Sequence, residues 1–203
     1  MQQPRHLWIR GRTRADRIRL LAGLDVPPLL AVVDGHRRLH GPYTVAGGLL
    51  HRLVPPALLA TDNGGVPELV ARHHVEIGCA APDLAGLLPA GAASTPHPGR
   101  LHPPDRTLRL AHGIATLVTG LAGAQGGPVT VLLDNLQHAD ATDQELVSVL
   151  LRRLDPARIT VVAGTRESRP PLRLAGALEV YCASLYAAAA PAPRRVPDLA
   201  AAF

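Results

Sequence analysis

Three short apolar runs, each closed at its carboxyl end by a polar residue, constrain this chain more than any other feature. They are Leu29–Val33 before Asp34, Val129–Leu133 before Asp134, and Ile159–Ala163 before Gly164-Thr165-Arg166. Runs of this length, apolar on both faces, are the pattern of strands buried inside a parallel sheet. Between the second and third lies Asp143–Leu154, whose Leu146, Val149, Leu150 and Leu154 fall on one helical face. The segment 129–163 therefore predicts a strand–helix–strand unit, and the chain an α/β fold with helices packed on a parallel sheet.

The rest of the chain is predicted around that unit. Residues 1–24 read as a basic lead and a helix, with Ile18, Leu20, Leu21 and Leu24 inward and five arginines around them. A helix from Tyr43 to about Leu53 is expected to close at Pro55-Pro56, because proline lacks the N–H that a helix interior uses. Val66–Ala80 reads as one helix, Arg106–Leu121 as another, and Leu178–Tyr181 as a last short strand. Residues 1–186 are expected to form one domain, with 89–105 a flexible Pro- and Gly-rich loop and 187–203 a disordered Ala/Pro tail.

Composition removes several chemistries. All 21 basic residues are arginine, so any mechanism that needs a lysine is excluded, including the phosphate-binding lysine of a P-loop. Cys79 and Cys182 have no metal-ligand spacing and read as reduced thiols. No apolar run reaches the roughly 18–20 residues of a membrane helix, and no signal-peptide core is evident, so a cytoplasmic protein is expected. The net charge of +5 comes without a recognition helix, RNA-binding aromatics or a zinc finger, which argues against a nucleic-acid partner.

The candidate site lies at the carboxyl ends of the predicted strands, where open α/β sheets bind ligands. Asp134 reads either as an acid that holds Mg²⁺ or as a cap on the following turn. Asp140 reads as a ligand or as the cap of the next helix, and Thr165-Arg166 as a phosphate sensor or a solvated loop. The His36/His40 pair, with Arg37 and Arg38, reads as an anion grip or a wet loop.

The run Val129–Arg166 resembles the second half of the nucleotide-binding domain of STAND-type ATPases, the AAA-like domains of actinobacterial LuxR- and SARP-type regulators. That resemblance implies a three-layer, P-loop-NTPase-like parallel sheet. It matches Asp134 to the metal-associated acid of the Walker B motif and puts Asn135 where the family has its second acid. The family's His-Trp pair falls at Gln137-His138, Ala139-Asp140 matches unchanged, and Thr165-Arg166 falls at the sensor strand end. Ile9-Arg10-Gly11-Arg12 resembles the lead into the domain, while the strand and loop of Walker A are expected to be absent, leaving the sheet truncated.

The resemblance thus names Asp134, Asn135, His138, Asp140, Thr165 and Arg166 as nucleotide-site positions and Asp134 as the metal position. With the phosphate cradle gone and an acid replaced by Asn135, the expectation is a pseudo-ATPase. It would have no catalytic residue and no resident cofactor, and would act as an accessory or regulatory protein through a protein partner or a second copy. The alternatives are a Mg-ATP-binding switch or weak ATPase that uses the Walker B-like Asp134, and a small enzyme of unrelated chemistry.

Overall fold

The computed structural model describes residues 5–36, 43–60, 65–88, 103–166 and 170–187. The expected loop at 89–105 lies outside them except for Pro103–Asp105, which begin a helix, and the expected tail lies outside them beyond Ala187. Arg37, Arg38 and His40 also lie outside them.

Among the described residues five strands form one parallel sheet: β1 (His6–Arg10), β2 (Leu29–Asp34), β3 (Val129–Asp134), β4 (Ile159–Thr165) and β5 (Cys182–Tyr186). Their spatial order is β2-β3-β4-β1-β5. Seven α-helices lie among the described residues: α1 (Arg14–Ala22), α2 (Thr44–Leu59), α3 (Val66–Arg72), α4 (His74–Ala80), α5 (Pro103–Gly123), α6 (Ala141–Arg153) and α7 (Leu172–Tyr181). The α/β class with a helix-flanked parallel sheet is as the sequence predicts. Every residue of β3 and β4 is buried, as expected of strands covered on both faces.

The basic lead expected before the first helix contains a strand. Residues 6–10 form β1, which pairs Leu7 through Arg10 with Val162 through Thr165 on one side and His6 through Arg10 with Cys182 through Tyr186 on the other. The polar ends of HLWIR hide this strand from periodicity, because their polar groups find distant partners. Buried His6 accepts the Val161 N–H at Nδ1, 3.1 Å away, and burial lowers its pKa. The Arg10 guanidinium lies between the rings of Trp8 and Tyr186, 4.1 and 3.8 Å from their centroids, and donates to Ser184 Oγ at 2.9 Å.

Three local expectations are also corrected. Helix α2 runs through Pro55-Pro56 to Leu59. The carbonyls those prolines cannot serve belong to His51 and Arg52, which are exposed, so water can take them. Val66–Ala80 is two helices that break at His73. Leu178–Tyr181 is the last turn of α7, and the strand follows it as β5.

Strand alternation divides the core. Trp8, Ala31, Val33, Val131, Leu133, Val161 and Ala163 face the larger cluster built by α2 to α7. Ile9, Leu132 and Val162 face the other side, where Leu21 of α1 covers them.

Helix α2 begins on Tyr43, whose φ is 65°, with no capping side chain of its own. Its first amides are held by Asp143 of α6, which accepts from Val45 N at 3.0 Å and Ala46 N at 3.1 Å while fully buried. Burial pushes the Asp143 carboxyl up to about 6 from an ordinary 3.8, against the pull of those amides. The folded chain therefore holds this proton more tightly than the unfolded chain does. The stability it contributes is complete below the unfolded value and is lost as pH rises through about 6. A shift of that size corresponds to on the order of 2–3 kcal/mol. Urea denaturation across pH 4 to 7 should show this fall, and Asp143→Asn should flatten it. An unchanged slope in the variant would put the proton elsewhere.

Candidate functional site

The carboxyl ends of β1, β2, β3 and β4 converge on one polar cluster. Residues Leu7–Arg10 of β1 are in register with Val162–Thr165, and Asp34 of β2 is in register with Asp134 of β3. After β1 the chain crosses Gly11-Arg12-Thr13 and enters α1. Thr13 and Asp16 form a reciprocal cap: Asp16 N donates to Thr13 Oγ1 at 3.1 Å, and Thr13 N donates to Asp16 Oδ2 at 3.1 Å. Gly11 N is bound to Thr165 O at 3.2 Å.

One turn into α1, Arg17 turns inward, and its side chain is 4% exposed. Its Nε donates to Asp134 Oδ1 at 2.6 Å, Nη1 to Gly11 O at 3.1 Å and Nη2 to Asn135 Oδ1 at 2.7 Å. Asp134, with a side chain 3% exposed, faces Arg14 Nε at 3.6 Å with its second oxygen. Arg14 also reaches Asp34 Oδ2 at 3.5 Å. Two acids and two arginines thus balance, and the buried pair is charge-assisted with short contacts.

Asn135 completes the cluster, and its chemistry explains why it is not an acid. Its oxygen accepts from Arg17, while its amide nitrogen donates to both Asp34 oxygens at 3.0 Å. A carboxylate could not donate there, and it would add a third negative charge beside Asp34 and Asp134. Asn135 also has φ 57°, in the left-handed region that asparagine tolerates better than most residues.

The other predicted positions take separate roles. Asp140 caps α6, its Oδ1 accepting from Thr142 N at 2.8 Å and Asp143 N at 2.9 Å. Thr165 is fully buried, and its Oγ1 accepts the Trp8 indole N–H at 2.9 Å. Arg166 extends into solvent while its backbone N–H donates to Gln137 Oε1 at 3.1 Å. His138, in the 3-10 turn Leu136–His138, lies against the His36 ring with centroids 4.3 Å apart. The structure thus joins Asp134 and Asn135 in one network and places His138, Asp140, Thr165 and Arg166 in separate contacts.

The residues that sequence reasoning missed are Arg17, Arg14, Asp34 and Gly164. Gly164 is required by packing: a Cβ there would collide with the Asp134 carboxylate. The available signal for Arg17 was its place four residues before Leu21, on the face of α1 that the sheet buries.

Among the described residues, no group of three His, Cys, Asp or Glu side chains is arranged to hold a metal ion. No helix among them is long and apolar enough to cross a membrane. Cys79 and Cys182 are free thiols, and burial pushes the Cys182 thiol up to about 12. Comparison of the chain with protein-family models, curated proteins and solved structures finds no match.

Proposed function

We propose that this chain is a non-catalytic, ATPase-like domain that acts through protein–protein contacts, as an accessory or regulatory subunit. The observation that carries this reading is the internal ion pair. Arg17 spends its guanidinium on Asp134, Asn135 and the Gly11 carbonyl, so the acid matched to Walker B is already neutralised from within. Its Oδ1 is held by this buried arginine, and its Oδ2, buried and without a hydrogen bond, faces Arg14 at 3.6 Å, so a metal ion at Asp134 would sit against two guanidinium groups.

The kinship with P-loop ATPases remains part of the proposal. It is supported by β1 lying between β4 and β5, since the strand that leads into Walker A lies mid-sheet in the STAND family. On that alignment the phosphate loop is reduced to Gly11-Arg12-Thr13. The Gly11, Thr13 and Asp16 amides are bound within the protein. A phosphate cradle needs such amides free and pointing at the ligand. The residues present do not fit Mg-ATP.

Contact with a partner is supported by the uneven cover of the sheet. Parallel sheets are ordinarily covered by helices on both faces. Among the described residues the nine-residue α1 lies over one face, and Leu7, Val32 and Leu185 are half-buried there.

Calorimetric titration with ATP and Mg²⁺ tests the reading. The expected outcome is no binding at millimolar nucleotide. Micromolar binding that disappears in Asp134→Ala, with the variant's fold checked by circular dichroism, would overturn it in favour of a nucleotide switch.

A further inference from the structure

A cleft of about 780 Å³ lies along the outer edge of β2. It is lined by Val32 and Val33 of β2 and by Ala80, Ala81 and Pro82, where α4 ends. Strand β2 ends the sheet, so no described strand pairs with its outer side. In a parallel ladder alternate residues turn both N–H and C=O toward the same neighbour, so the remaining ones turn theirs outward. The cleft therefore combines apolar walls with outward backbone donors and acceptors of β2 that no described strand pairs. Native edges are commonly blunted by charge or by covering structure. The stretch Leu29–Val33 carries no charge, and Leu29 is 51% exposed.

The rim of the cleft is built. His51 of α2 donates from Nδ1 to Gly47 O at 2.7 Å, and its Nε2 lies 2.6 Å from Asp83 Oδ2, a hydrogen bond that raises the imidazole pKa. This histidine–aspartate pair ties α2 to the 3-10 segment Pro82–Leu87. Beside it stands Arg52, exposed and without an ion pair among the described residues.

We propose that this cleft binds an extended segment of a partner protein, which adds to the sheet as a strand beside β2, places apolar side chains in the cleft and sets an acidic side chain against Arg52. A helix or an apolar small molecule would leave the edge amides unpaired, whereas an extended backbone satisfies them at strand spacing. The inference rests on the reading of the chain as a protein-binding domain, and it is tested without nucleotide.

The test is selection of a phage-displayed library of random short peptides on the immobilised full chain, followed by binding of synthetic copies of the enriched peptides. Enriched sequences should alternate apolar residues and carry an Asp or Glu. Their binding should slow amide exchange in residues 31–34. The exposed Arg52→Glu substitution should weaken binding by about tenfold or more, and Val32→Arg, a charge on the edge, should weaken it further. No enrichment, equal binding by both folded variants, or protection confined to another element would overturn the proposal. Nucleotide binding with peptide capture intact would sink the non-catalytic reading and leave the edge site standing.

Discussion

Arg17→Met should cost about 3–5 kcal/mol of folding stability, the loss that follows when one member of a buried ion pair is removed. Methionine keeps most of the aliphatic stem, so the change isolates the guanidinium. What remains is Asp134, 2% exposed, facing only Arg14 at 3.6 Å, and Asn135 with an unanswered oxygen. Small domains have about 5–15 kcal/mol in all, so the variant should unfold at much lower urea. Removing the stranded charge as well should recover a large part of the loss. Arg17→Met combined with Asp134→Asn is expected to be more stable than Arg17→Met alone, and the double-mutant cycle should give a strong coupling term. A single variant within about 0.5 kcal/mol of the parent, the range of ordinary surface changes, would mean that Arg17 is not the internal counter-ion described here.

The same pair shows why part of this molecule is legible in sequence and part is not. The unit from β3 to β4 is local and redundant. Its apolar runs, the Asp140 cap and the spacing of Leu146, Val149 and Leu150 all specify one answer. Strand β1 depends on distant residues. His6 and Arg10 look like solvent-facing groups until Val161, Ser184 and Tyr186 are brought beside them. The site divides in the same way. Asp134 announces itself by ending an apolar run, but its partner is one arginine among six in the first 19 residues. Arg17 and Ile18 exchange the roles that hydrophobicity gives them: the arginine is 3% exposed and the isoleucine 45%. Only the pairing of β1 with β4 brings α1 over the end of β3, and no local pattern encodes that.

Gly164→Ala is expected to destabilise the protein strongly for so small a change. Gly164 sits in the fully buried β4, and the added methyl would point at the Asp134 carboxylate, with the Asp134 Cα 3.3 Å away. The backbone of β4 is held by ladders on both sides, to β3 and β1, so it cannot retreat. The Asp134 side chain must turn instead, which opens the 2.6 Å contact with Arg17. Overpacking in a close-packed core costs about 1–3 kcal/mol, and weakening the buried pair adds to it, for a total of about 2–4 kcal/mol. The two losses share one mechanism and should not add. In the Arg17→Met background the carboxylate no longer has a partner to keep, and it can rotate away from the new methyl. Gly164→Ala should then cost clearly less than it does in the parent. Urea denaturation of the four proteins, with a common slope, measures both quantities. Full additivity would mean that Gly164 and Arg17 act on Asp134 independently, and the close approach of β4 to the carboxylate would have no part in holding the ion pair.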